Sequence, residues 1–147
     1  MSEFLKTERE VHMQVSEIMH SGVVTAQIND SLKRVATLMK KQDIGSVPIY
    51  KNERPVGFVT DRDIVLTCVA NGHSPDEPIS LAMSHDIFSV YENQDIAEAL
   101  KLMEQKQISR LLVLDRGDSP VGMVSLKDIA NSPNEVVSEV LNEIKRS

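Results

Sequence analysis

The sequence predicts an α/β fold of the α+β type, built as two tandem β-α-β-β-α units packed as one pseudo-two-fold module. Three observations carry that expectation. The segment Pro55-Val56-Gly57-Phe58-Val59-Thr60-Asp61-Arg62-Asp63-Ile64 returns as Pro120-Val121-Gly122-Met123-Val124-Ser125-Leu126-Lys127-Asp128-Ile129, an offset of 65 with six of ten residues identical. Upstream, Val15 to Tyr50 overlays Ile79 to Leu114 at an offset of 64, with Met19 on Met83, Met39 on Met103 and Ile44 on Ile108. One extra residue in the turn Asp115-Arg116-Gly117-Asp118-Ser119 reconciles the two offsets, and the apolar periodicity switches in the same order in both copies. Each unit runs about 50 to 60 residues, a size that buries only about 60% of its surface, so the copies are expected to share one core.

Taken in order, Glu8 to His20 reads as an introductory helix and Gly22 to Ala26 as a short extended piece. Asn29-Asp30-Ser31 offers capping side chains before Leu32, Val35, Ala36, Leu38 and Met39, whose spacing draws one apolar helix face. Asp95 does the same before Ile96, Ala99, Leu100, Leu102 and Met103. Two strands follow each helix: Ser46 to Tyr50 with Val56 to Thr60, and Arg110 to Leu114 with Val121 to Ser125. Each second strand runs directly into a helix, Asp61 to Ala70 and Leu126 to Asn131.

Asn71-Gly72 ends the first of these helices in a left-handed stop, and His73-Ser74-Pro75-Asp76-Glu77-Pro78 is a linker. A last helix is expected from Asn134 to Lys145, its Val136, Val137, Val140, Leu141 and Ile144 on one face for the body or a partner chain. The domain boundaries are therefore 1–14 for the N-terminal segment and helix start, 15–72 for the first unit, 73–78 for the linker, 79–131 for the second unit and 132–147 for the C-terminal helix.

Composition narrows the function classes. The chain has 147 residues, 41% of them hydrophobic and 26% charged, with no run long enough to span a bilayer and no secretory apolar stretch at its start, which makes the cytoplasm the expected compartment. A net charge of -6 argues against a nucleic-acid polymer as partner, and an anionic ligand would need locally placed cations. Cys68, the single cysteine, lies in an apolar run and reads as a small buried hydrophobe. His12, His20, His73 and His85 lack close ligand spacing, so no metal site is expected. Asp61-Arg62-Asp63 lacks the additional lysine and acidic residues of an aspartyl-nucleophile phosphatase, and the second copy has Leu126 in place of Asp61, so catalysis is not expected.

The motif that both copies retain is a glycine, a hydroxyl three residues on, and an aspartate three further: Gly57, Thr60, Asp63 and Gly122, Ser125, Asp128. Its plain reading is a helix capping box with aspartate in the place of Glu or Gln. Its glycines admit close approach by either a ligand or another strand.

With Ile44-Gly45-Ser46-Val47-Pro48-Ile49 before the first copy, this tandem arrangement resembles a cystathionine-β-synthase (CBS) domain pair over residues 13–131. The resemblance implies a stand-alone, non-catalytic regulatory module that binds an adenosine-containing ligand in a cleft between the units and associates as a homodimer. It implies no required cofactor: AMP, ADP or ATP leads the ligand range, with a cyclic dinucleotide, NAD or S-adenosylmethionine also within it.

In that reading Thr60 and Ser125 bind phosphate beside open helix N–H groups, and Asp63 and Asp128 accept from a ribose diol. Arg62, Lys127 and Arg110 balance charge, while Val24, Val47 and Pro48 in the first unit and Phe88 and Leu111 in the second lie against the base. Arginine forks across phosphate oxygens where lysine presents a point charge, so the first motif is expected to be the tighter site. Ligand would alter affinity for an unidentified protein partner; the alternative is a ligand-free structural dimerisation or scaffold module.

Overall fold

In the computed structural model, whose described residues are 13–133, the strand–helix–strand–strand–helix order appears twice. The elements are β1 (His20–Ser21), β2 (Ala26–Gln27), α1 (Leu32–Gln42), β3 (Ser46–Lys51), β4 (Arg54–Thr60), α2 (Asp61–Val65), β5 (Ser89–Tyr91), α3 (Ile96–Lys106), β6 (Arg110–Leu114), β7 (Pro120–Ser125) and α4 (Leu126–Ala130). A π-helical run, Leu66–Ala70, continues α2.

The long helices begin where the caps lie, since Ser31 Oγ accepts from the Arg34 N–H at 3.0 Å and an Asp95 carboxylate oxygen from the Ala97 N–H at 3.2 Å. Their three-and-four spacing buries Leu32, Val35 and Met39 on α1, and Ile96, Ala99 and Met103 on α3. Both helices end on a left-handed residue at the equivalent position, Asp43 at φ 53° and Gln107 at φ 55°. After α2, Gly72 supplies the positive φ of 76° expected of a helix stop.

The chain divides into two compact units, Val23–Ile87 and, among the described residues, 13–22 with 88–133. The first holds a three-stranded sheet in the order β2-β3-β4, with β2 parallel and β4 antiparallel to β3. The second holds a four-stranded sheet in the order β1-β7-β6-β5, with β5 parallel to β6 and both β6 and β1 antiparallel to β7.

The single shared core expected from unit size is replaced by two cores, and they correspond residue by residue. Ile79, Ala26, Leu32, Val35, Met39, Val47, Ile49 and Val59 fill one. Val15, Val90, Ile96, Ala99, Met103, Leu111, Val113 and Val124 fill the other. Duplication has preserved position and apolar character at every one of these sites, with sizes exchanged where Ala26 matches Val90 and Val35 matches Ala99.

The leading segments are exchanged between copies. Val15 belongs to the first repeat yet fills the core built by the second, and Ile79 belongs to the second yet fills the core built by the first. This exchange corrects the introductory helix, of which residues 8–12 lie outside the described residues. From Val15 to Glu17 the chain forms only a 3-10 turn, and His20–Ser21 is a strand. The Val15 and Ser16 N–H groups donate to the Gln94 and Glu92 carbonyls at 2.8 and 2.9 Å, so tertiary bonds satisfy amides that carry no local partner at a helix start. The extended piece Gly22 to Ala26 is strand only at its Ala26 end. The helix expected from Asn134 to Lys145 lies outside the described residues.

The exchange also settles what the motif glycines admit. A Cβ on Gly57 would stand 2.5 Å from the Ser84 carbonyl oxygen, and one on Gly122 would stand 2.6 Å from that of His20. The backbone of the crossing leading segment, not a ligand, occupies the space.

Candidate functional site

Thr60 ends β4 and Ser125 ends β7, so each hydroxyl arrives at a helix start on a rigid strand. Thr60 Oγ1 accepts from the Asp63 N–H at 3.2 Å while Asp63 Oδ2 accepts from the Thr60 N–H at 2.8 Å. In the second copy Ser125 Oγ accepts from the Asp128 N–H at 3.1 Å and Asp128 Oδ2 from the Ser125 N–H at 2.8 Å. Both capping boxes are therefore closed, with aspartate long enough to complete them.

That closure changes the phosphate chemistry expected at the helix starts. On α2 the Asp61 N–H donates to the Gly45 carbonyl at 3.0 Å, the Arg62 N–H to Asp61 Oδ1 at 2.8 Å, and the Asp63 N–H to Thr60. The first-turn amides expected to be open are engaged by the protein itself. On α4 the Leu126 N–H donates to the Ser109 carbonyl at 2.9 Å and the Asp128 N–H to Ser125. Of the side-chain cations, Arg62, Arg110 and Lys127 are exposed, and among the described residues none has an ion-pair partner.

Strand pairing fixes which of the remaining residues meet. Ser46 stands opposite Thr60 and Arg110 opposite Ser125, so the guanidinium expected beside the second hydroxyl starts from the adjacent strand. Val47 and Leu111, opposite Val59 and Val124, are fully buried in their units' cores. They pack beneath the strands and present no surface on which a base could rest. Pro48 is also buried, whereas Val24 and Phe88 are half-buried. Lys106 Nζ lies 5.1 Å from the Phe88 ring centroid, a cation–π contact on the ring expected to meet a base.

One residue that sequence reasoning did not assign to the site is against it. His20 Nε2 lies 2.9 Å from Asp128 Oδ1. Its signal was faint, a histidine after Met19 where the other copy has Ser84 after Met83, and only the segment exchange brings it to Asp128. Among the described residues no three His, Cys, Asp or Glu side chains come together to hold a metal ion, and no helix is long and apolar enough to cross a membrane.

Comparison with known proteins matches residues 15–69 and 79–135 to the CBS domain. The chain belongs to the CBS domain family. This CBS pair is similar to Hypoxic Response Protein I, solved with two coordinated zinc ions: 34% identity, TM-score 0.67, covering 82% of this chain and 99% of that one. The Pyrobaculum aerophilum CBS domain protein PAE2072, solved with AMP, shares the fold at TM-score 0.75 and 22% identity, covering 88% and 99%. The CBS domain pair of protein MJ0100, solved with 5-methylthioadenosine and S-adenosyl-L-methionine, matches at 25% identity and TM-score 0.67, covering 81% and 94%.

Proposed function

We propose that this CBS pair is a non-catalytic regulatory module that binds an adenosine-containing ligand, with AMP, ADP or ATP leading, and signals to a partner protein by a conformational shift. The observation that carries the reading is Asp63. One of its oxygens closes the capping box, and among the described residues the other has no partner. A carboxylate oxygen one residue along from Arg62, which has no ion-pair partner among the described residues, suits a ligand that presents both a diol and an anion. Relatives of the same fold solved with AMP and with S-adenosyl-L-methionine support the class. Binding that differs between two arrangements of the module would shift their populations and so the affinity for the partner.

The ligand-free structural reading also has an observation in its favour. Both boxes are complete without a ligand, and Val65, Leu66 and Val69 lie exposed on α2 and its π-helical continuation, an apolar strip suited to homodimerisation.

A thermal-shift screen of nucleotide-free protein against AMP, ADP, ATP, a cyclic dinucleotide, NAD and S-adenosylmethionine separates the readings. A ligand at a hundred times its dissociation constant stabilises by about 2.7 kcal/mol, a shift of several degrees. Asp63→Asn is the informative variant, because an amide oxygen can still accept from the Thr60 N–H while the charge is lost. We expect one ligand to shift the wild type and to shift Asp63→Asn far less; no shift with any of them would favour the structural module.

A further inference from the structure

The two motifs differ at one atom. Asp63 and Asp128 each commit Oδ2 to their own box at 2.8 Å. The remaining oxygen of Asp128 is held by His20 Nε2 at 2.9 Å, while among the described residues that of Asp63 is held by nothing. The cause lies in the leading segment that crosses each motif glycine. His20 pairs with Met123 on β7, and the equivalent position in the other unit, 64 residues on, is Ser84, which bridges Phe58 on β4. Serine does not span that gap. Its hydroxyl instead accepts from the Asp86 N–H at 3.2 Å.

The imidazole also lies on the outer side of the carboxylate, for the His20 side chain is 81% exposed and that of Asp128 only 14%. A ligand hydroxyl approaching Asp128 from solvent meets an oxygen that already accepts one hydrogen bond. At Asp63 the equivalent oxygen accepts no hydrogen bond from the described residues.

We propose that His20 makes the two motifs inequivalent: it covers the ligand-facing oxygen of Asp128, so that a nucleoside diol must displace or share the imidazole there, and it leaves the first motif as the tighter site. This rests on the nucleotide-binding reading above and refines it, assigning the specificity difference to a residue outside both repeated motifs. The arginine-for-lysine difference acts in the same direction but on the phosphate; His20 acts on the sugar. A hydrogen bond to a charged group contributes enough to make the effect about tenfold or more in affinity.

The test is calorimetric titration of AMP into the full chain, using wild type, Asp63→Asn, Asp63→Asn with His20→Ser, Asp63→Asn with His20→Gln, and Ser84→His. With the first motif silenced, His20→Ser should raise the residual affinity about tenfold, His20→Gln should not because it keeps a donor, and Ser84→His should weaken the site that depends on Asp63. His20 is exposed, so an unfolding midpoint close to that of the parent certifies the fold. Residual affinity that is unchanged or lowered by His20→Ser overturns the assignment, since the imidazole would then be neutral or a ligand contact. If wild-type binding depends on Asp63 yet His20→Ser has no effect, this inference alone falls. If AMP binds none of the proteins, the nucleotide reading falls with it.

Discussion

Tyr50 stands where the other copy has Leu114, and its buried hydroxyl has no hydrogen-bond partner among the described residues. A buried polar group without a partner costs about 1 to 3 kcal/mol. Tyr50→Phe should therefore be neutral to stabilising by about 1 kcal/mol, read as a rise in the urea midpoint. Burial also pushes the phenol above its ordinary value of 10.0, so the folded chain resists deprotonation. As pH rises past about 10 the unfolded chain ionises first, and the stability contributed by the neutral phenol is lost. Unfolding at pH 9 and pH 11 should show a smaller loss in Tyr50→Phe than in wild type. At this scale the sequence was legible where chemistry repeats: Thr60 and Ser125, Asp63 and Asp128 stand in equivalent places because they occupy equivalent places in the repeat. An apolar strand residue near a motif reads alike whether it faces a ligand or a core, and only burial places Val47 and Leu111 in the cores.

Helices and strands were legible from caps and periodicity because those signals act within a few residues. Ser31 and Asp95 decide where α1 and α3 begin, and three-and-four apolar spacing decides which faces they bury. The leading segment was not legible, since its backbone partners lie about 80 residues away at Glu92 and Gln94 and no local pattern encodes them. The glycines inside β4 and β7 belong to this same scale. Gly57→Ala places a methyl group 2.5 Å from the backbone oxygen of Ser84, which cannot rotate away. It should destabilise by about 2 to 3 kcal/mol, as overpacking does. Gly117→Ala, whose nearest contact would be an Asp115 carboxylate oxygen at 3.4 Å, serves as the control and should shift the urea midpoint little.

For the whole molecule, the sequence repeat and the compact unit are different objects. Residues 15–78 hold one full copy of the repeat but lack Ile79 and the Ser84 bridge, both of which complete the unit that copy builds. A fragment spanning 23–87 contains them. Circular dichroism and urea unfolding of the two fragments should show 23–87 to be the more structured; a 15–78 fragment of equal or greater stability would mean that the exchanged segment contributes little. The reason for the ranking is core completion, because Ile79 is fully buried and its loss leaves a cavity in a unit with little core to spare.

The sequence by itself determined the duplication, the order of elements, the helix caps, the matched core positions and the hydroxyl–carboxylate boxes, since each depends on neighbours in the chain or on a pattern that the second copy repeats. Tertiary structure alone decided that the leading segments exchange between the copies, that crossing backbone rather than a ligand fills the space above the glycines, that the Asp61 N–H at the start of α2 is bonded by the Gly45 carbonyl, and that His20 reaches Asp128 while Ser84 does not reach Asp63. Those outcomes depend on contacts between residues far apart in the chain, and local propensity holds no record of which distant backbone a segment will pair with.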